Sequence, residues 1–595
     1  MKHNEFTHIP KSTMAFAIDT STLHIRFKSL KGKAKTVEII HGDPFMWKSD
    51  GDKKTWQGIF NPAQTMIKEA STDIYDYWFA SLNVPTKRVK YAFLINGTHL
   101  YGSQELVNVE KYPNYKDNLS AFFNFPYLLE RDIYSAPHWV RETVWYSIFP
   151  DRFHTLENQS KNVLKWESTT EVRNDQFFGG NIKGIIAKLP YLKEMGFTGI
   201  YMTPIFQAPS AHKYDTVDYY EIDPQFGSKA DFKTLVEEAH KLNIKVMLDA
   251  VFNHVSNQHP FFKDALQKGP ESKYFDAFYF KEWPIDKASL IKRDAFAPFK
   301  APPYETFAFS PRMPKLNCDN PFMREYLLDV SEYWIREFDI DGWRLDVSNE
   351  ISHDFWRAFR KRVKNVKEEI FILGENWDQS DPWLMGDQHD AVMNYEFLYA
   401  MWAFFGKEEP YPMDARTFAN ALNDVIFTYP KPVLNNMFNI IDSHDTKRIA
   451  RVIKEDEALL KLVYTMHYLL PGAPSIYYGG EVGLTGEHDP DNRRCMIWDE
   501  QRQSDILKPF IKQLNSLYHK EPSFKLPTLE IVAAKAQGLI VKKGDLIALF
   551  NRGETHVTFE GLVATGTYNN LFTGEREVLN KSVTLKPYAL FLLKK

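Results

Sequence analysis

GWRLDV at residues 342–347 and EIFILGE at 369–375 are two short apolar-rich runs, and each carries a carboxylate at its end, Asp346 in the first and Glu375 in the second. Runs of this length bounded by polar residues read as strands of a buried sheet. Six more of the kind follow the same rhythm: VWYSIF (144–149), GIYMT (199–203), KVMLDA (245–250), DAVMNY (390–395), MFNIID (437–442) and SIYYG (475–479). Helical spacing fills the intervals. SKADFKTLVEEAHKL sets Phe232, Leu235, Val236 and Ala239 on one face, and PFMREYLLDVSEYWIREF does the same with Tyr326, Val330, Trp334 and Phe338. Eight strand–helix units in alternation predict an α/β fold, a (β/α)8 barrel.

Outward from this frame the pattern changes. The gap between the third and fourth strands is too long for one helix, so the Phe-, Pro- and Lys-rich segment at about 254–315 is expected to be an inserted subdomain. Before the barrel, LHIRFKS, VEIIHG, DYWFASL and VKYAFLI read as strands punctuated by turns such as Asn96-Gly97, and FNFPYLLERDIYSAPHW (123–139) as a linker. After a helix near 503–518, short alternating strands return in LIVKKG, LIALFN, THVTFEG and ALFLLKK. The expected division is an N-terminal β-sandwich over 1–130, the barrel over 131–505 and a C-terminal β-sandwich domain over 506–595. A chain of 595 residues exceeds what one core accommodates.

Composition excludes several classes of function. Net charge is −4 with no sustained basic run, so there is no electrostatic footprint for nucleic acid or an anionic membrane. No apolar run approaches the ~18 residues that span a bilayer. Two cysteines, Cys318 and Cys495, imply no disulfide framework. The start, MKHNEFTHIPKSTMAF, lacks the apolar stretch of a signal peptide, and a cytoplasmic location is expected.

The polar residues at the strand ends point to chemistry. In a (β/α)8 barrel the active site forms at the C-terminal ends of the strands. Asp249, Arg344, Asp346 and Glu375 fall at the ends of strands three, four and five, and His444 and Asp445 lie just after strand seven. Cleavage of a glycosidic bond needs one carboxylate at the anomeric carbon and one carboxylic acid at the leaving oxygen. One such acid alone is more often a structural ion-pair partner, but three, interleaved with Arg344, His254 and His444, favour catalysis.

LDAVFNH (248–254), GWRLD (342–346), LGEN (373–376) and DSHD (442–445) resemble the four ordered motifs of the α-amylase family, glycoside hydrolase family 13. MPKLN (313–317), with WYSIFPDRF, FFGGNIKGI and MTPIFQAPSAHKYDTVDYY, resembles the subgroup of neopullulanases, cyclomaltodextrinases and maltogenic amylases, and the likeness runs over essentially the whole chain. The resemblance implies Asp346 as nucleophile, Glu375 as acid and then base, and Asp445 as the third catalytic acid, binding sugar hydroxyls. It implies that Arg344 orients Asp346, that His254 and His444 hold the same sugar, and that Tyr214 stacks beneath it. On the same resemblance Trp377 is expected to flank the leaving side and Asp489 and Arg493 to form a sugar-binding pair, while Asp249 and Asn253 are expected in supporting roles, orienting Arg344 and the barrel end.

A retaining α-glucan hydrolase acting on cyclomaltodextrins, maltodextrins and pullulan is expected, as a homodimer joined through the N-terminal domain. The alternatives are an α-glucosidase or oligo-1,6-glucosidase of the same family, against which MPKLN and the N-terminal β domain argue, and a non-catalytic carbohydrate-binding scaffold, against which the intact Asp346, Glu375 and Asp445 argue. The sequence departs from the subgroup where Asn376-Trp377-Asp378 follows the acid. It departs again where HTLENQSKN (154–162) and Asn181 stand in place of a calcium loop richer in Asn and Asp ligands. Calcium prefers six or more oxygen ligands, so no cofactor and no metal, calcium included, is expected.

Overall fold

A computed structural model describes residues 1–56, 63–156, 163–166, 171–285, 302–561 and 565–595. At its centre eight parallel strands close into a barrel. They are β1 (Trp145–Ile148), β2 (Gly199–Met202), β3 (Lys245–Ala250), β4 (Gly342–Leu345), β5 (Phe371–Gly374), β6 (Ala391–Asn394), β7 (Phe438–Asn439) and β8 (Ala473–Tyr477). Nearly every strand residue is buried, because one face meets the packed barrel interior and the other meets the surrounding helices. This produces the near-continuous apolar runs seen in the sequence.

The helices form where their caps allow. The helix Ile182–Met195 is capped by Asn181, whose side chain accepts from the Gly184 N–H, and it ends at Gly196 in the left-handed region at φ 87°. Lys229–Lys241 starts on a capping box between Ser228 and Asp231 and buries Phe232, Leu235, Val236 and Ala239, the face expected from spacing. Pro321–Phe338 starts on Asn320 and buries Val330, Trp334 and Phe338, with Tyr326 half-buried at the edge.

Most of the strands are shorter than their apolar runs, two of them markedly so. The run 369–375 contributes only β5. The run 437–442 contributes only Phe438–Asn439, since Ile441 turns out of the ladder and its carbonyl accepts from the Trp402 indole at 2.7 Å instead. That departure carries the chain into the loop bearing His444 and Asp445. The segment between β3 and β4 folds back on itself through the helix Pro260–Lys268 and bridges such as Phe278 to Leu316 and Thr306 to Pro314, around Phe262, Phe278 and Tyr304. Residues 286–301 of the expected insertion lie outside the described residues.

The N-terminal strands Thr22–Leu30, Val37–Gly42, Tyr75–Asn83 and Val89–Ile95 belong to two sheets that enclose Leu23, Ile25, Phe27, Ile39, Tyr91 and Phe93. The expected linker is corrected at its start. Phe123–Phe125 is a strand antiparallel to Val89–Tyr91, with both phenylalanines buried and Asn124 exposed between them. At the other end of the chain, Glu530–Lys535, Gly538–Lys543, Leu546–Asn551 and Leu590–Lys594 form most of a six-stranded sheet. No helix among the described residues is long and apolar enough to cross a membrane.

The N-terminal sheets dock on the barrel helix Ala415–Thr428 through polar groups. Arg26, 3% exposed, donates to the carbonyls of Phe427 at 3.0 Å, Tyr429 at 2.5 Å and Ile426 at 3.3 Å. These are carbonyls at the helix end, which lack helical partners and carry the negative end of its dipole. Tyr77 stacks on Phe427 at 4.5 Å and Lys431 pairs with Glu69 at 2.5 Å. Charge-assisted bonds of this kind contribute about 1.5–3 kcal/mol each. Arg26→Ala is therefore expected to weaken docking by about 2–4 kcal/mol, seen as faster proteolytic nicking between residues 126 and 138 while catalytic activity at low temperature persists. An unchanged nicking rate would show that the docking does not depend on Arg26.

Candidate active site

Strand register assembles the site. Asp249 on β3 pairs with Arg344 on β4, and Leu345 pairs with Gly374, the residue before Glu375. Residues two apart on a strand share a face, so Arg344 and Asp346 project to the same side at the barrel mouth. Gly374 has no room for a side chain, because a Cβ there would lie 2.5 Å from the His389 ring.

One guanidinium links three carboxylates. Arg344, fully buried, stands 3.0 Å from Asp249 and 2.6 Å from Asp346 through one nitrogen, and 2.9 Å from Glu375 through the other. Asp249 also accepts from the Tyr201 hydroxyl at 2.6 Å and the Tyr214 hydroxyl at 2.9 Å. Glu375 accepts from the Trp377 indole at 3.0 Å and from the Val347 N–H at 2.8 Å. Val347 supplies that N–H from the left-handed region, at φ 46° and ψ 44°, a strained conformation for a β-branched residue.

Opposite this cluster, His444 Nε2 lies 2.5 Å from the Tyr214 hydroxyl and 3.0 Å from Asp445. Arg493 reaches Asp445 at 3.2 Å, Asp489 at 3.2 Å and the His444 carbonyl at 2.9 Å. A cavity of about 770 Å³ opens between the two groups, lined by Tyr214, His254, Asp346, Glu375, Trp377 and Asp445, with Asp489 and Arg493 at its edge. Arg344 and Asp249 lie beneath this lining. The Trp377 ring, 39% exposed, stacks on Tyr395 at 4.3 Å.

Asp249, Asp346 and Glu375 gather around Arg344, and Asp445 faces Arg493 and His444. Burial, reinforced by Glu375 and Asp249, pushes Asp346 upward, and the Arg344 guanidinium is the group that favours its ionised form. Burial also raises Asp249 against Arg344. Although burial works against it, His444, followed by Arg493 and Arg344, holds Asp445 well below the carboxylate range. Burial, then Lys315, pushes His254 down to about 3, so it is a neutral imidazole at neutral pH.

Asn253 departs from expectation. Its carboxamide oxygen accepts from the Lys315 ammonium and its nitrogen lies 3.3 Å from the His254 ring, so it braces the MPKLN segment and not Arg344. Phe307, 37% exposed in the cavity wall, stacks over His254 at 4.8 Å. The sequence did not single it out, since one phenylalanine in an aromatic-rich insertion carries no distinguishing signal. Val347 was missed because a backbone angle leaves no compositional trace.

Where the sequence departs from the subgroup's calcium loop, the Asn181 carboxamide accepts from the Gly184 N–H at 2.7 Å and donates to the Leu156 carbonyl at 2.7 Å. Residues 157–162 of the corresponding loop lie outside the described residues.

Asp442, just before this site, allows a test by pH. Burial pushes its carboxyl up to about 6, against Arg448 and the Ile449 N–H. An acid whose folded pKa is raised contributes stability below its unfolded value of about 3.9, and that contribution is lost as pH rises through about 6. Asp442→Asn imitates the neutral form. Its stability advantage over the parent protein is expected to grow from near zero at pH 4 to about 2–3 kcal/mol at pH 7, read from unfolding midpoints at each pH. A gap that does not vary with pH would contradict the assignment.

Comparison with known proteins agrees with the architecture. The family description "Alpha amylase, catalytic domain" matches residues 147–522, and "Alpha amylase, N-terminal ig-like domain" matches residues 1–129. The chain is 41% identical to a cyclomaltodextrinase of Geobacillus thermopakistaniensis, over 100% of this chain and 99% of that one. It is 37% identical to neopullulanase 2 of Thermoactinomyces vulgaris, over 98% of each. A solved cyclomaltodextrinase structure superposes with a TM-score of 0.90 at 34% identity, covering 100% of both chains. The chain belongs to the α-amylase family of glycoside hydrolases.

Proposed function

We propose that this enzyme hydrolyses α-1,4-glucosidic bonds, and α-1,6 bonds in pullulan, in cyclomaltodextrins and short maltodextrins, with retention of configuration. The observation that carries the reading is the Arg344 guanidinium held between Asp346 and Glu375 beneath a cavity walled by Tyr214, His254, Trp377 and Asp445. The names of the relatives, cyclomaltodextrinase and neopullulanase, support the substrate class.

In the first step an Asp346 oxygen attacks the anomeric carbon. The glycosidic C–O bond breaks, and Glu375 gives its proton to the departing oxygen. In the second, Glu375 takes a proton from water as the water oxygen attacks the same carbon, and Asp346 leaves as a carboxylate. Positive charge develops on the sugar ring in both transition states, where the carboxylates of Asp346 and Asp445 beside the ring stabilise it. Asp445, kept ionised by His444 and Arg493, accepts bonds from the ring hydroxyls, and Tyr214 supports the ring from below.

Loss of the acid and loss of the nucleophile give different signatures. Asp346→Asn is expected to lower kcat by at least about 10⁴-fold on every substrate. Glu375→Gln should be comparably impaired on maltodextrins, yet recover about 10²-fold or more of its glycosylation rate on an aryl glycoside whose leaving group needs no proton. Equal losses of Glu375→Gln on both substrates would limit Glu375 to binding. Proton NMR should find the first-formed product as the α-anomer.

The homodimer belongs to the same proposal. Most aromatics of the N-terminal sheets fill their own core, but Phe45, Met46 and Trp47 form a consecutive exposed run, at 72%, 43% and 41% exposure. Such side chains are common interface anchors. The double substitution Phe45→Glu with Trp47→Glu is expected to turn a dimer into a monomer by light scattering and to lower the rate on β-cyclodextrin relative to soluble starch. A parent protein already monomeric at micromolar concentration would remove the dimer from the reading.

A further inference from the structure

Tyr214 reaches its place on a loop that begins after β2, and the residue before it carries a burden that the chemistry above does not explain. Lys213 is 2% exposed and holds a left-handed backbone at φ 63°. A long side chain adopts that conformation at a cost, and a buried ammonium is costly unless every proton finds an acceptor. Here all three do. The ammonium meets the Asp223 carboxylate at 2.9 Å, the Ala208 carbonyl at 3.1 Å and the Gln225 side-chain oxygen at 3.1 Å.

Those acceptors tie the loop to the barrel at both ends. Ala208 opens the loop, and its N–H bonds the same Asp223 oxygen at 3.0 Å. Asp223 follows the strand Asp218–Ile222 that closes it, and its N–H bonds the Ile205 carbonyl at 3.0 Å. The Gln225 amide extends to Asp151, just after β1, at 2.8 Å. From the other side of Lys213, the Tyr214 hydroxyl reaches Asp249 and His444. Polar contacts thus run from the end of β1 to Lys213 and from Tyr214 to the floor of the cavity, and the Lys213–Tyr214 peptide backbone joins the two.

We propose that Lys213 is a positioning residue for the reaction, an internal ammonium clamp that fixes the Tyr214 ring beneath the scissile sugar. An apolar core residue would fill the same space without fixing the ends of the loop. The strained backbone is needed because it sends the lysine stem inward while the next residue faces the cavity. The inference rests on reading Tyr214 as the stacking platform.

A double-mutant cycle tests it. Lys213→Met keeps most of the stem and removes the charge. In the parent protein it is expected to lower kcat/KM on an activated aryl maltoside by about 10- to 100-fold, mainly through kcat. In a Tyr214→Ala background the same substitution should cost less than about 3-fold, because there is no longer a ring to position. A lysine that only stabilises the fold would give equal factors in both backgrounds, and that result would overturn the proposal. Should Lys213→Met not fold, Gln225→Ala, which removes one acceptor and strands no charge, carries the same cycle with an expected factor of about 3–10 falling to about 1. Equal factors are again fatal. If Tyr214→Ala by itself leaves kcat/KM unchanged, it is the platform reading that fails, so the two failures are distinguishable.

Discussion

The buried guanidinium of Arg344 is the group on which the site depends. A cation with no solvent exposure is tolerated in a barrel core only if acceptors surround it, and the carboxylates of Asp249, Asp346 and Glu375 do so from three neighbouring strands. The arrangement solves two problems together. It compensates the arginine, and it holds two chemically reactive acids in one fixed geometry that no exposed pair of side chains would keep.

Structure around this centre is arranged to keep it in place. Gly374 clears the space that the His389 ring fills at the end of β5, and Val347 spends backbone strain to aim an N–H at Glu375. Tyr201 and Tyr214 complete the shell of Asp249, and His444 and Arg493 keep Asp445 ionised without drawing on Arg344 alone. The same principle recurs at a distance, where Lys213 and Arg26 each satisfy a buried cation with acceptors from separate segments and so join them.

Much of this was legible in the sequence because barrel strands and surface helices obey simple periods. The eight apolar runs appear in order, and the helical faces at Phe232–Ala239 and Val330–Phe338 are buried as their spacing required. The errors fall where the pattern is local but the decision is not. Phe123–Phe125 read as linker because a three-residue strand is too short to show alternation against a proline-rich background, and it exists only because Val89–Tyr91 offers an edge. MFNIID read as a full strand because hydrophobicity cannot reveal that Trp402 captures the Ile441 carbonyl.

What the sequence determined by itself was the architecture and the identity of the polar residues at the strand ends, since burial imposes composition and composition is visible along the chain. What tertiary structure decided was how those residues divide the work. Asp249 turned toward Arg344 while Asn253, four residues on, turned toward Lys315; Phe307 entered the cavity wall while the other described phenylalanines of the insertion did not; Lys213 became a buried clamp and not a surface charge. Such choices depend on which groups from distant segments meet in a low-dielectric interior, where an unpaired charge or amide costs several kcal/mol, and no linear pattern encodes that meeting.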